Sequence, residues 1–362
     1  MDEGWFAGAV TLVARDDRIV HFQAQGLMEI EPERPMQTDA VFRIMSMTKP
    51  VVAVSILMLM EEGRLRLSDP VSRFVPQLGD LSVTVPGSGE TPGFEPAARE
   101  VTLVDLLTHT AGLMVTGATN SADVTIGPDD ALADVIPRLE DAPLEFQPGT
   151  RWAYSGQFGF DVLAHVVELA SGMSFDAFTR QRIFEPLGMM DTFFFPPEGH
   201  PRIAALYAST DGRLAPQAEL EFVNGGYFSG GGGLFSTAED YFRFASMLLH
   251  DGALGGTRLV SRKTLELMRS AFIPSSLPGR TPGEGYGLGV RVVTDRAARQ
   301  TLLSNGSFGW SGAFNTHFFI DPDEKIVGIF MTQSAFLATR QQLRDDFETA
   351  VMQALVDDAD SP

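Results

Sequence analysis

The sequence predicts a fold of the α/β class, of the α+β type: one antiparallel sheet built from both chain ends, flanked by helices, with a mainly helical domain inserted between its parts. Three observations carry this expectation. β-rich runs stand near the start of the chain, further ones stand after residue 286, and the stretch from about 101 to 186 shows helical apolar spacing punctuated by glycine and proline. The expected division is residues 1–65 with 222–362 for the sheet-bearing domain and 66–221 for the helical insert; 362 residues suit two domains.

Residues 10–14 and 19–24 flank Arg15-Asp16-Asp17-Arg18 and read as a β-hairpin. A Pro- and Glu-rich link at 31–38 leads to Phe42-Arg43-Ile44-Met45 and then to a helix from Ser46 to about Glu62. Residues 64–85 read as a short helix and loop, and 86–96, rich in proline and glycine, as an irregular excursion. Helices are expected at 101–108, 129–140, 156–171 and 174–186, separated by Gly112, Gly117, Pro148-Gly149 and Gly172. The glycine run 230–233 precedes Ser236-Thr237-Ala238-Glu239, an N-cap and capping box for a helix to about Leu249, and another helix follows at 261–270. Strands are expected at 286–294, 300–304, 314–320 and 326–332, then a helix at 336–356 and an acidic, frayed end at 357–362. The glycines at 283, 285, 287 and 289 suit a flat strand that another element, or the substrate, approaches closely.

Composition removes several classes of function. The chain has no cysteine, which excludes a disulfide framework and thiolate-ligated metals. Asp and Glu number 47 against 27 Lys and Arg, a net charge of −20 that phosphate backbones repel, so no nucleic-acid partner is expected. The longest apolar run, from Val51 to Met60, stops at Glu61-Glu62-Gly63, short of a bilayer span, and Met1-Asp2-Glu3-Gly4 lacks the features of a signal peptide. A cytoplasmic location without a membrane partner is the resulting expectation.

The motif search is equally selective. No serine has glycine at both −2 and +2, as a nucleophile elbow requires; Gly309-Trp310-Ser311-Gly312 fails at Ala313. There is no Walker loop and no H-E-x-x-H, and His165 and Glu168, although three apart, lack a third ligand, so neither a metal nor another cofactor is expected. Ser46-Met47-Thr48-Lys49 stands out. It opens an apolar helix and uses one of only three lysines, the others being Lys263 and Lys325. Spacing of three puts hydroxyl and amine on one face, a turn apart, at a helix end rich in free amides. Burial disfavours a charged lysine, which can then take a serine proton. The tetrapeptide alone leaves a second reading open, in which Ser46 caps a core helix and Lys49 snorkels.

The surroundings decide between them. Phe42-Arg43-Ile44-Met45-Ser46-Met47-Thr48-Lys49-Pro50, followed by Glu61-Glu62-Gly63-Arg64-Leu65 and Ser68-Asp69-Pro70-Val71, resembles the serine β-lactamase-like superfamily, in its class C β-lactamase and family VIII carboxylesterase branch. The resemblance continues in Leu106-Leu107-Thr108-His109-Thr110-Ala111-Gly112-Leu113, in Phe146-Gln147-Pro148-Gly149-Thr150-Arg151-Trp152-Ala153-Tyr154-Ser155, in the glycine run through Ala238, and in Gly309-Trp310-Ser311-Gly312-Ala313. It spans residues 8 to 335 in the family's order and implies a β-lactamase/transpeptidase-like fold. It also implies Ser46 as acylated nucleophile, Lys49 as its base partner, Tyr154 as second acid–base residue, and an oxyanion hole from the backbone amides of Ser46 and Ala313. His109 and His317 read instead as packing residues, with His109 tying the helix end at Gly112.

Three departures from the family pattern matter. Gly156 stands where the family's tyrosine motif ends in asparagine, and Trp310-Ser311-Gly312 stands where penicillin-recognising members have Lys-Thr-Gly. Third, the sequence opens on what reads as the first strand, whereas relatives usually have a helix before it. The first two remove the polar contacts of a β-lactam, so the expected activity is a serine carboxylesterase acting on short-chain esters. Trp310, Ser311, Gly312 and Gly156 are expected to line the substrate site with Phe308, Tyr227 and Phe228, and Trp310 with these three aromatic residues to wall an acyl chain or ring. A β-lactamase, a D-amino-acid peptidase, an amide hydrolase or an acyltransferase would share the mechanism, and a binding protein that kept only the fold would not need all of Ser46, Lys49 and Tyr154. The expected partner is a small-molecule ester; the sequence does not indicate an oligomeric state.

Overall fold

Alternation along the first strand decides where the sheet lies. Val10, Leu12 and Ala14 enter the main apolar core, whereas Ala9 and Val13 pack on the opposite face, as a two-residue period requires of a strand covered on both sides. In the computed structural model, which describes residues 4–87, 92–113, 124–197, 199–210, 212–217, 226–335 and 337–356, this strand is β1 (Gly8–Arg15). It turns into β2 (Arg18–Glu29) through Asp16 and Asp17, both at positive φ, a conformation that short polar side chains tolerate in a tight hairpin. The acidic end at 357–362, Gly117 and the expected boundary at 221/222 lie outside the described residues.

The sheet is completed by β3 (Arg34–Pro35), β4 (Glu284–Tyr286), β5 (Arg291–Val293), β6 (Phe308–Ser311), β7 (His317–Asp321) and β8 (Ile326–Thr332). Its order is β4-β5-β6-β7-β8-β1-β2-β3, antiparallel throughout. Ala9 faces Thr332 and Arg15 faces Ile326, so the two chain ends do meet in one sheet.

Helix α1 (Thr48–Glu61) is buried on every side from Thr48 to Leu59, as a helix with apolar residues on all its faces must be. Against it lies α2 (Phe158–Ser171), and α3 (Ala238–Leu249) packs on β1, β7 and β8. The other face of the sheet is covered by α4 (Arg340–Gln353), whose Phe347 ring stands 5.6 Å from Phe330 and 6.0 Å from Phe319. Among the described residues no helix is long and apolar enough to cross a membrane.

Several elements differ from expectation. Residues 286–294 are not one strand but the hairpin β4–β5, turned where the Gly287 amide bonds the Val290 carbonyl at 2.9 Å. The glycines there do permit close approach: a Cβ on Gly287 would lie 2.2 Å from the Met268 carbonyl oxygen, and one on Gly289 2.8 Å from Ala53 Cβ. Residues 300–304 form no strand. Asp295 caps a short helix, Arg296–Arg299, that ends at Gln300 in the left-handed region, and Leu303 is a plug beside Val293. The sheet takes β6 instead, which the pattern did not disclose. In the insert, 64–85 holds two 3₁₀ turns, Val71–Arg73 and Pro76–Leu78, and Ser82–Val85 pairs with Gly93–Pro96 inside the expected excursion. The helix expected at 129–140 is Leu132–Val135 followed by a 3₁₀ turn, Ile136–Asp141, whose Pro137 has no amide to continue it.

Glu348 anchors α4 to the sheet. Buried, it accepts hydrogen bonds from Arg291 on β5 and from His317 Nε2 on β7, the latter at 3.1 Å. Burial alone would raise its carboxyl, but Arg291 and His317 hold it far below the usual carboxylate range. A depressed carboxyl adds stability that is present above the unfolded value of 4.5 and is lost as pH falls through the folded value. Glu348→Ala is therefore expected to cost about 3–5 kcal/mol in urea unfolding at pH 7, since buried Arg291 loses its short partner and keeps only the longer 3.6 Å contact to Glu284. The gap to wild type should narrow as pH drops below 4.5. A gap independent of pH would show that packing, not charge, carries the contact.

Candidate active site

Ser46 sits in a short 3₁₀ turn, Met45–Met47, that runs directly into α1. The turn is held at several points. The Ile44 amide bonds the Leu234 carbonyl at 3.0 Å, the Ile44 carbonyl accepts from Thr316 Oγ1 at 3.0 Å, and the Met47 carbonyl accepts from the Tyr241 hydroxyl at 2.8 Å. Met45 is left-handed at φ 49°, a strain of about 1–3 kcal/mol that these contacts impose on a bulky residue. The Ser46 amide lies in the first turn of the helix, where amides have no helical partner.

Lys49 is fully buried, while Lys263 and Lys325 are exposed and paired with Glu266 and Asp16. Its Nζ donates to the Gly156 carbonyl at 2.6 Å, to the Gly231 carbonyl at 2.7 Å and to Ser46 Oγ at 3.1 Å. Three acceptors match the three protons of an ammonium. They equally match a neutral amine, whose two N–H groups would take the carbonyls and whose lone pair would face Oγ. The glycine run thus lies beside the lysine. A Cβ on Gly231 would stand 2.7 Å from Gln157 Cα, and one on Gly230 2.4 Å from the Phe160 carbonyl oxygen, so only glycine lets this loop lie on the first turn of α2. Below the loop is Asp161, fully buried on α2, which accepts from Tyr227 Oη at 2.7 Å, Ser229 Oγ at 2.7 Å and the Gly231 amide at 2.8 Å.

Tyr154 donates its hydroxyl to Ser46 Oγ at 2.6 Å, so Ser46 lies between Lys49 and Tyr154. The Lys49 Nζ also stands 5.0 Å from the Tyr154 ring centre. The loop carrying Tyr154 is fixed by His109. Its Nδ1 accepts from the Ser155 amide at 3.2 Å, which leaves Nε2 to donate to Tyr286 Oη, also at 3.2 Å. Burial, and then the nearby Lys49 and Arg280 charges, push the imidazole well below its ordinary pKa. What His109 ties is the tyrosine loop, and it has no hydrogen bond to Ser46 among the described residues. His165 and Glu168, the spaced pair on α2, bond each other at 3.0 Å.

The end of β6 approaches the Ser46 turn closely. A Cβ on Gly312 would lie 2.1 Å from Thr316 Oγ1 and 2.4 Å from the Ile44 carbonyl oxygen. Ala313 follows in the exposed turn after the strand, and its amide has no hydrogen-bond partner among the described residues. Trp310 is half-buried, 5.5 Å from the Tyr154 ring and 5.1 Å from Tyr286, and forms a wall beside the hydroxyl pair. Ser311 points to the other face, bonded to His317 Nδ1 at 2.8 Å. Gly156 is exposed, and a Cβ there meets nothing within 4 Å. Four expectations need correction, Ser311 among them. Phe308 is 1% exposed inside the main core and cannot wall a ligand, and Tyr227 is buried with its hydroxyl committed to Asp161. Phe228 packs on Phe194 and Phe195 at 5.4 and 5.7 Å rather than on Trp310. Asp161 and the Gly231 carbonyl escaped the sequence reading; the glycine run was the only signal pointing to them.

The chain is similar to known proteins along most of its length. The model of the family described as Beta-lactamase matches residues 1–352. Esterase EstB of Burkholderia gladioli is 33% identical over 359 residues, covering 91% of this chain and 86% of EstB. Penicillin-binding protein 4 of Amycolatopsis lactamdurans is 30% identical over 349 residues, covering 88% of this chain and 85% of that protein. Among solved structures, EstCE1, a hydrolase with promiscuous acyltransferase activity, matches with a TM-score of 0.81 and 25% identity over 97% of this chain and 95% of its own.

The acceptor set around Lys49 makes a sharp expectation for Lys49→Arg. Arginine keeps the charge but cannot deprotonate, and its five donors exceed the three acceptors present. Lys49→Arg and Lys49→Ala should both lower kcat by about 10²–10⁴, the usual share of a general base. Near wild-type turnover by the arginine variant would show that only the positive charge matters.

Proposed function

Since the chain belongs to the beta-lactamase family and is a serine hydrolase of that fold, we propose that it is a carboxylesterase that hydrolyses short-chain esters through an acyl-enzyme on Ser46. The observation that carries the reading is the Ser46 hydroxyl held at 3.1 Å from Lys49 Nζ and 2.6 Å from the Tyr154 hydroxyl. The esterase relative EstB supports the ester assignment.

In the proposed reaction the Ser46 proton passes to Lys49 as Oγ attacks the ester carbonyl carbon. The oxyanion forms between the Ser46 and Ala313 amides, which are fixed before the reaction and cost no reorganisation. Collapse expels the alkoxide, which takes the Tyr154 proton, and the Lys49 proton returns to the phenolate. Water then enters in place of the alcohol, gives its proton to the same pair, and releases the acid and Ser46.

Substrate class follows from what flanks these groups. A β-lactam presents an acylamino group and a carboxylate. Gly156 offers no side-chain amide to the first, and Trp310 offers an apolar face where a cation would meet the second. Leaving such groups unpaired costs about 1–3 kcal/mol each, more for the charged carboxylate, which is roughly two to four decades for the pair. An ester with a short acyl chain lacks both groups and can lie on the indole.

The test is kcat/KM for p-nitrophenyl butyrate and for nitrocefin on one preparation. The ester should be preferred by at least about a hundredfold. Comparable values, or a preference for nitrocefin, would replace the esterase reading with a β-lactamase one.

A further inference from the structure

We propose that Asp161 is a positioning residue for the acylation step: it holds the Gly231 carbonyl in the place from which that carbonyl aims the Lys49 amine at Ser46. The inference rests on the reading of Ser46 as nucleophile and adds a residue to it.

Gly231 is used on both sides. Its N–H donates to Asp161 at 2.8 Å and its carbonyl accepts from Lys49 at 2.7 Å, so a shift of the carboxylate displaces the lysine's acceptor through one residue. The same carboxylate also takes Tyr227 Oη and Ser229 Oγ at 2.7 Å each, fixing the loop at three points within five residues. All three contacts come from donors, which suits a carboxylate in its acceptor-only, ionised form. Burial pushes this carboxyl up, while the three donors and the Lys49 charge pull it back.

The other carbonyl on Lys49 belongs to Gly156, five residues before Asp161 and just ahead of α2. One helix end therefore governs both acceptors: Gly156 by chain continuity, Gly231 through Asp161. The loop also rests on the backbone of Gln157 and Phe160, where glycine alone fits, so loop and helix end are locked as one body. Asp161 has no hydrogen bond to Ser46 or Lys49 among the described residues, and it can act only through Gly231.

The experiment compares Asp161→Ala and Asp161→Asn with wild type by the rate of fluorophosphonate labelling at Ser46, and by kcat and KM for p-nitrophenyl butyrate, all scaled to the folded fraction by circular dichroism. Asparagine keeps an oxygen for Gly231 and Ser229 and can donate to Tyr227 Oη, so it preserves the position without the charge. Asp161→Ala should lose about 10–100-fold in labelling rate and kcat with KM little changed, the range typical of residues that orient a functional group, and Asp161→Asn should recover most of it. If Asp161→Ala does not fold, the double variant Tyr227→Phe/Ser229→Ala, which leaves the Gly231 amide as the remaining loop tie to Asp161, should keep kcat within about threefold of wild type, and a loss as large as 10–100-fold would overturn the route through Gly231. Wild-type labelling and kcat in folded Asp161→Ala, a loss confined to KM, or an asparagine variant as slow as alanine would each overturn the proposal. A wild-type protein that labels elsewhere than Ser46 would instead overturn the nucleophile reading, and this inference with it.

Discussion

An amine buried without access to water must find all its hydrogen-bond partners inside the protein, and Lys49 is such an amine. Taking an ammonium out of water costs several kcal/mol even after relaxation, so the fold has to supply acceptors at fixed places. It draws them from three segments remote in sequence: Ser46 on the same turn, Gly156 ahead of α2, and Gly231 in the loop ahead of α3. Each must reach the same point in the core within a few tenths of an ångström. That one constraint explains why α1 is buried on all sides, why the loop at 230–233 is glycine, and why a carboxylate lies beneath it.

The geometry at Ser46 follows from a second close approach. The end of β6 comes so near the Ser46 turn that Gly312 has no room for a Cβ, and Thr316 bonds the Ile44 carbonyl across the gap. Met45 is held in a left-handed conformation between these contacts, its side chain packed with Leu206, Phe314 and Ala335. The strain is confined to the residue before Ser46, where it fixes the direction in which the serine leaves the backbone. Behind the strand, Glu348 ties α4 to β5 and β7, so the strand that leads into the Ala313 turn is braced from its far side.

Local features were legible in the sequence and non-local ones were not. Ser46 and Lys49 are three residues apart on one helix, so their meeting follows from helical geometry alone, and the Asp16-Asp17 hairpin follows from turn chemistry. The rarity of lysine singled out position 49, and the structure buries that lysine alone of the three. Tyr154 was reached through the family pattern, because nothing in its spacing brings residue 154 to residue 46. Asp161 was invisible because its partners lie 66 to 70 residues away and an aspartate within an apolar helix has no periodic signature. Phe308 and Tyr227 misled for a related reason: proximity in sequence to Trp310 and to the glycine run does not say on which side of a strand or loop a ring lies. The missed β6 and the false strand at 300–304 come from the same short apolar stretch, in which Leu302 and Leu303 look strand-like while Asn305-Gly306 sets the turn into the real one.

The central claim is that Ser46, and no other residue, carries the acyl group. Mixing the enzyme with p-nitrophenyl butyrate, quenching in acid within the first turnover and mapping the peptides by mass tests it directly. The account predicts a single butyryl group on the peptide containing Ser46, with a burst of nitrophenol equal to the enzyme present. Steady turnover without a covalent adduct, or with the acyl group on another residue, would contradict it.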